Sequence, residues 1–299
     1  MPVGSIVAEL RVFSPSYTKA ADRCQIRTVF ERGMKLSPAY ADNALYARIT
    51  GTSFHAGAAV LHRAKRDHQP LDIPAALTVL KETYDAQFAA YTKAGGHTSV
   101  DTVQTNLLTA GNTLKKYAVD KQSPLLAWQS ITDVELTLPD AGPCRLDVVG
   151  NNALGIPAIS DLKYKRELKN ELEGKTFNQF RGEWAMSHYA TFLPLYRPDG
   201  PKEYETTITL VAAGPRYRTL EWAIPVIRPV EFINSAQSKW KRLESTYNDP
   251  VSTLEMPASH EDQFGICPFL RTCLDLNRDP SQDHTTPFIR VEWPRFEEE

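Results

Sequence analysis

The sequence predicts an α/β (α+β) fold, in which a mixed β-sheet is flanked by helices and preceded by an N-terminal helical region. Apolar residues recur at helical spacing from about residue 14 to residue 117, and short alternating apolar segments begin at residue 130. One helical segment then separates two groups of strands. This order of elements favours a mixed sheet with helices packed on it over a sandwich of two sheets.

The N-terminal helices are expected to begin at residues that cap helices or permit turns. Ser14-Pro15-Ser16 offers an N-cap for a helix that runs through Cys24, and Gly51-Thr52 can open the next helix. That second helix carries His55 and His62, which are seven residues apart and therefore share a face.

The strands are expected in the middle third of the chain, around one helix. A turn at residues 139–143 joins the first two strands into a hairpin, and the intervening helix covers residues 174–192. Pro229 suits the first turn of a final long helix, which a proline-rich tail follows. The predicted strands are 131–138, 145–149, 155–163, 204–212 and 218–225.

These patterns divide the chain into three predicted regions. Residues 1–129 form an N-terminal helical region that carries the histidines, and residues 130–230 form the core with the sheet. Residues 231–299 supply a C-terminal helix and a cysteine-containing tail that packs on the core.

Composition narrows the class of protein. The chain has 299 residues, 42% of them hydrophobic, which suffices for a full core, and its net charge of -2 means that any nucleic-acid groove must be locally basic. Four cysteines are too few for a secreted disulfide scaffold of this length. No apolar stretch reaches the length of a membrane span, and the first residues lack the pattern of a signal peptide, so we expect a cytoplasmic protein without a membrane partner.

Two acidic residues and a lysine stand at the ends of neighbouring predicted strands. Asp161 and Lys163 are two apart, so a strand directs both to one side, and the hairpin can bring Asp147 beside them. Two carboxylates repel each other unless a cation lies between them, and hard divalent cations take oxygen ligands. The spacing alone is also typical of a surface ion pair.

The order of motifs resembles the RecB-like branch of the PD-(D/E)xK nucleases, which includes the CRISPR adaptation nucleases. The resemblance spans nearly the whole chain and implies a restriction-endonuclease-like core. Gly51-Thr52-Ser53-Phe54-His55 resembles the branch's Gly-Thr-x-x-His motif, and Asp161-Leu162-Lys163 resembles its Asp-x-Lys motif. The other matching positions are the Ser14–Cys24 opening, Glu135, Arg145-Leu146-Asp147 and the helical Gln179.

The resemblance implies a role for each of these residues. His55, Asp147 and Asp161 would bind Mg²⁺ or Mn²⁺ with help from the backbone carbonyl of Leu162, and the imidazole favours Mn²⁺. Lys163 would orient the attacking water and stabilise charge on the phosphate. Gln179 would line the site and hold the lysine or the DNA backbone. Glu135 either supports the ligands or forms a cross-strand ion pair, and His62 is an alternative ligand or a structural residue.

The cysteines match the family's iron–sulfur clamp only in part. Cys24, Cys267 and Cys273 occupy three of its positions, whereas Phe264 stands at the fourth. Two interpretations remain open: a cluster with a non-cysteine ligand, or buried thiols in a decayed clamp that packs the chain ends together.

The resemblance therefore implies a metal-dependent deoxyribonuclease, an exonuclease that acts in DNA repair, recombination or phage DNA processing. DNA would be bound as single strands or duplex ends, and a recombinase, helicase or single-strand-binding protein would be its partner. The alternative is a catalytically inactive DNA-binding or assembly subunit that retains the nuclease fold. A nuclease acting on RNA would use the same chemistry.

Overall fold

A computed structural model describes residues 35–138, 144–166, 168, 184–214, 217–224, 261–262, 265–266 and 288–294. These residues fall into two compact units. The described parts of the first are 35–44, 89–98 and the segments after residue 260, and the second comprises the described residues of 45–88 and 99–233. Every predicted site residue that the structure describes lies in the second unit.

The described elements are numbered in chain order. The helices are α1 (Asn43–Arg66), α2 (Ile73–Lys93), α3 (Val100–Val119), α4 (Pro124–Ala127) and α5 (Trp184–Tyr196). The strands are β1 (Leu36–Pro38), β2 (Ser130–Leu138), β3 (Cys144–Asn151), β4 (Pro157–Lys165), β5 (Glu205–Ala212), β6 (Arg218–Ala223), β7 (Glu261–Asp262), β8 (Gly265–Ile266) and β9 (Phe288–Arg290).

A five-stranded mixed sheet is the centre of the second unit. Its strands lie in the order β2-β3-β4-β5-β6. The β4–β5 pair is parallel, because the connection between these strands includes α5 and is long enough to cross over. The other pairs are antiparallel. The predicted α/β class with a mixed sheet is confirmed, and the predicted strand bounds agree with the observed ones to within two residues.

Helices cover both faces of this sheet. Ala158 and Ile159 are neighbours on β4, and they belong to separate apolar clusters because successive strand residues face opposite sides. Ile159 packs with Met186 of α5, whereas Ala158 packs with Ala59 of α1. Arg197, just after α5, donates two hydrogen bonds of 2.6 and 2.5 Å to the carboxylate of Asp133 on β2.

The helix that carries the histidines begins earlier than the sequence predicts. We expected it to open at Gly51-Thr52, but α1 begins at Asn43, and this dipeptide lies inside it. The residues before it continue the apolar face, since Leu45 and Ile49 are buried, and that burial outweighs the weak helix propensity of glycine. Gly57 serves close packing instead: a Cβ there would lie 2.8 Å from the carbonyl oxygen of Ala76 on α2.

The first unit is built around a short antiparallel pair. β1 and β9 pair over their full lengths, and the hydroxyl of Tyr91 donates a 2.6 Å hydrogen bond to the carbonyl of Pro38. Tyr91 also stacks on Trp293, with ring centroids 6.3 Å apart. β7 and β8 form a second short pair.

Several predictions fall outside the described residues. These are the helix after Ser14, the turn at 139–143, the first part of the helix at 174–192 and the helix after Pro229. The division of the chain into three regions therefore stays a prediction. Within the described part of the chain, no helix combines the length and apolar character that crossing a bilayer requires.

Candidate active site

The site forms where β3 and β4 separate. The two strands pair from Asn151↔Pro157 to Val148↔Ser160, and the pairing ends there. Beyond this point β3 continues along β2, and β4 continues along β5. A fork in the middle of the sheet leaves backbone groups without ladder partners, so side chains must satisfy them.

Asp147 lies at the fork and replaces a lost backbone hydrogen bond. Its Oδ2 accepts the backbone N–H of Leu162 at 2.7 Å, and its Oδ1 lies 3.5 Å from Nδ1 of His55. Burial alone would raise the pKa of Asp147, but His55, Lys163 and the Leu162 N–H together lower it below its usual value. Asp147 is therefore a buried carboxylate that stays ionised.

His55 reaches the fork from α1. Its anchor is the preceding residue, Phe54, which is fully buried and lies with its ring centroid 4.9 Å from that of Tyr164 on β4. Burial would lower the pKa of His55, but Asp147 and Glu135 outweigh this effect and raise it. The resulting imidazole faces two carboxylates, which is also the environment of a histidine that binds a metal.

Glu135 completes the group from β2 in an unusual backbone conformation. Its φ is +54°, a left-handed value that is strained for a residue other than glycine. It stands between the pairs Val134↔Val148 and Leu136↔Leu146, and so lies across from Asp147. Burial raises the pKa of Glu135, and the charge of Asp147 raises it further. Strain and repulsion at one residue are typical of functional sites.

Glu135 also meets a positive charge at the rim. Its Oε2 lies 2.5 Å from Nε of Arg145, which belongs to β3 and has a side chain 48% exposed. Oε2 is buried and makes no directed hydrogen bond within the described part of the chain, so the contact is an ion pair. The cross-strand ion pair that the sequence suggested for Glu135 is therefore present, and Glu135 also belongs to the cluster with His55.

The three residues fit a divalent cation. Among the described residues, one nitrogen of His55 and one oxygen each of Glu135 and Asp147 all lie within 4.8 Å of one another. With metal–ligand bonds of about 2.1 Å, adjacent ligands of an octahedral Mg²⁺ lie about 3 Å apart and opposite ligands about 4.2 Å apart, so the three side chains would have to draw together by roughly 1 Å each to bind one ion. Mixed nitrogen and oxygen donors suit Mn²⁺ as well as Mg²⁺.

The compact cluster does not include Asp161, which the sequence predicted as a metal ligand. Lys163 Nζ lies 2.5 Å from Asp161 Oδ2, with side chains 34% and 6% exposed. Both residues lie on one strand, β4, as predicted, but Glu135 is the third member of the compact cluster instead of Asp161. Leu162 contributes its N–H to Asp147, and its carbonyl as a metal ligand remains a prediction.

His62 has a structural role. It is buried on α1, and its Nε2 lies 2.8 Å from the hydroxyl of Tyr117 on α3. The rings of these two residues also meet edge to face. Its one described hydrogen bond thus joins two helices, which supports the structural interpretation over the alternative ligand.

Four of the predicted site residues lie outside the described residues: Gln179, Cys24, Cys267 and Cys273. Their roles, including any iron–sulfur cluster, remain predictions. Arg145 is a charged residue at the site to which the sequence interpretation assigned no chemistry. Its position two residues before Asp147 on one strand was the signal that could have indicated it.

Comparison with known proteins adds no assignment. No protein-family model matches the chain, and no curated protein sequence matches it. The resemblance to PD-(D/E)xK nucleases therefore rests on the order of motifs in the sequence alone.

Proposed function

We propose that this protein is a divalent-metal-dependent deoxyribonuclease of the PD-(D/E)xK type. The observation that carries the proposal is the convergence of His55, Glu135 and Asp147 at the fork, beside the Asp161–Lys163 pair. A mixed sheet with helices on both faces, and with acidic residues at the point where two strands separate, is compatible with this class. Mg²⁺ or Mn²⁺ is the proposed cofactor.

The donor set fits the proposed ion. His55, Glu135 and Asp147 would hold it. Asp161 as a further ligand rests on the resemblance alone. A bound divalent cation supplies Lewis-acid activation of water and neutralises charge on the phosphoryl oxygens. The Leu162 N–H fixes the orientation of the Asp147 carboxylate, so the ligand oxygens are positioned before any ion arrives.

Lys163 is suited to act on the substrate. Its side chain is one-third exposed and its ammonium group lies against Asp161, so one end of the pair is buried while the other reaches solvent. We infer that Lys163 orients the attacking water and stabilises negative charge that develops on the phosphate. Arg63 adds positive potential near Glu135, although the whole chain has a net charge of -2.

The experiment is a cleavage assay on end-labelled single- and double-stranded DNA, with Mn²⁺ or Mg²⁺ or with a chelator. We expect cleavage only with metal, and a loss of about 100-fold or more in Asp147→Asn and in Lys163→Gln. Lys81 and Asp85 form a matched control, since their side chains also meet at 2.5 Å but are 65% and 53% exposed. Lys81→Gln and Asp85→Asn should cleave as the wild type does.

The same assay decides between the proposal and its alternatives. If folded wild-type protein binds DNA but cleaves none with either metal, the inactive DNA-binding subunit becomes the better interpretation. An RNA strand of the same sequence tests the nuclease that acts on RNA, because recognition of the 2′-hydroxyl would favour that strand. The position of the first labelled product reports whether the enzyme works from an end, as an exonuclease does.

A further inference from the structure

Arg145 contacts the site but lies outside the expected ligand set. It is on β3, two residues before Asp147, in the part of the strand beyond the fork. Its register partner on β2 is Thr137, so Glu135 is its diagonal neighbour, within reach of a long side chain. The guanidinium therefore bridges a buried carboxylate and solvent.

The contact engages the carboxylate that a metal ion would use. Nε of Arg145 lies 2.5 Å from Oε2 of Glu135, and the Glu135 side chain is only 7% exposed. A compact divalent cation held by Glu135, Asp147 and His55 would place two positive charges beside this guanidinium. The two cations would repel each other, because they would share one buried carboxylate at short range, and the half-exposed guanidinium can relieve the repulsion by turning to solvent.

An arginine released from Glu135 would remain at the rim of the site. Its side chain is 48% exposed, and the flanking Thr137↔Arg145 pair holds its backbone in the sheet. A guanidinium presents five donors in a planar fork that matches phosphate oxygens, often with two parallel hydrogen bonds. Contacts with phosphate position a nucleic acid and carry no sequence information.

We propose that Arg145 and the divalent cation compete for Glu135, and that the displaced guanidinium then binds a phosphate of the DNA backbone next to the site. This inference rests on the proposed function and names its first substrate contact. Metal binding and DNA binding are thereby coupled through one side chain. Loss of the Arg145 guanidinium should strengthen metal binding and weaken DNA binding.

The test measures both affinities in Arg145→Gln and Arg145→Lys. Mn²⁺ affinity is measured without DNA by electron paramagnetic resonance. DNA affinity is measured by fluorescence anisotropy of a labelled oligonucleotide, with Ca²⁺ as the oxygen-binding ion. Arg66→Gln is the matched control, because Arg66 pairs with Asp67 at 2.8 Å on the surface and its side chain is 37% exposed.

We expect Arg145→Gln to bind Mn²⁺ several-fold more tightly and DNA about 5- to 10-fold more weakly, with a salt dependence reduced by about one phosphate contact. Both affinities of Arg145→Lys should lie between those of Arg145→Gln and the wild type, since lysine keeps the charge but lacks the planar guanidinium. Arg66→Gln should change Mn²⁺ affinity little. Opposite changes in the two affinities are not expected from a general loss of structure.

The outcomes separate this inference from the proposed function. Suppose that the wild type binds Mn²⁺ and cleaves DNA. Unchanged or weaker Mn²⁺ binding in Arg145→Gln then overturns the competition between Arg145 and the metal but leaves the proposed nuclease function intact. Tighter Mn²⁺ binding with unchanged DNA affinity overturns the phosphate contact. Failure of the wild type to bind Mn²⁺ overturns the proposed function itself.

Discussion

The pH dependence of folding should reveal the state of His62. This residue is 2% exposed. Among nearby charged groups, Asp147 raises its pKa, whereas Lys65 and His55 lower it. Burial is the largest effect and lowers the pKa of His62 to about 3. The folded protein therefore keeps this imidazole neutral at pH values where the unfolded chain protonates it.

The direction of the pH effect follows from the linkage between proton binding and folding. The unfolded chain binds the proton near its usual pKa of about 6.5, whereas the folded chain binds it only near 3, so the stabilising contribution is complete above ~6.5 and is lost as pH falls. The slope is about 1.4 kcal/mol per pH unit in this window. Lowering the pH from about 8 to about 5 should therefore reduce the free energy of unfolding by roughly 2 kcal/mol through His62 alone.

The assay is urea unfolding of the wild type and His62→Gln across this pH range. Glutamine can still hydrogen-bond to Tyr117 but has no proton to gain, so the difference between the two stability curves should shrink or reverse as pH falls. His62→Gln should also keep any stabilisation by Mn²⁺, because His62 is not among the clustered ligands. Parallel stability curves at all pH values would refute the reasoning.

Two further predictions concern packing and charge. Gly57→Ala should lower the unfolding free energy by about 1–3 kcal/mol in urea, because the added Cβ would lie 2.7 Å from Leu114 Cδ2 and 2.8 Å from Ala76 O; unchanged stability would contradict this packing. Glu135→Gln should stabilise the protein in chelator, and more so above neutral pH. The reason is that the raised pKa of Glu135 makes its ionisation costly once pH exceeds the unfolded value. A destabilised variant at high pH would contradict the cost that burial and the charge of Asp147 impose on ionised Glu135.

The sequence was sufficient for the strands and for the proximity of Asp161 and Lys163 because each depends on local pattern. Alternation of apolar residues marks strands such as β4, and the two-residue spacing places Asp161 and Lys163 on one side of it. The start of α1 was predicted wrongly because a glycine was given more weight than the buried Leu45 and Ile49, whose burial is a tertiary effect.

The composition of the cluster could not be predicted from spacing. Glu135 joins His55 and Asp147 because its backbone adopts φ +54° on β2, and no sequence rule assigns that conformation to a glutamate within a strand. The fork itself depends on where the β3–β4 pairing ends, which is a property of the assembled sheet. Arg145 escaped notice for the same reason, since its contact with Glu135 is diagonal across two strands.

The central claim is that His55, Glu135 and Asp147 bind one divalent cation. Titration of Mn²⁺ into the wild type, His55→Gln and His62→Gln, followed by electron paramagnetic resonance, tests it most directly, since both histidines lie on α1 and only His55 reaches the cluster. The account predicts tight binding in the wild type and in His62→Gln. It predicts a loss of about 10-fold or more in His55→Gln, since removal of even a residue that only orients a metal ligand typically costs that much. Equal Mn²⁺ affinity in His55→Gln and the wild type would contradict the account.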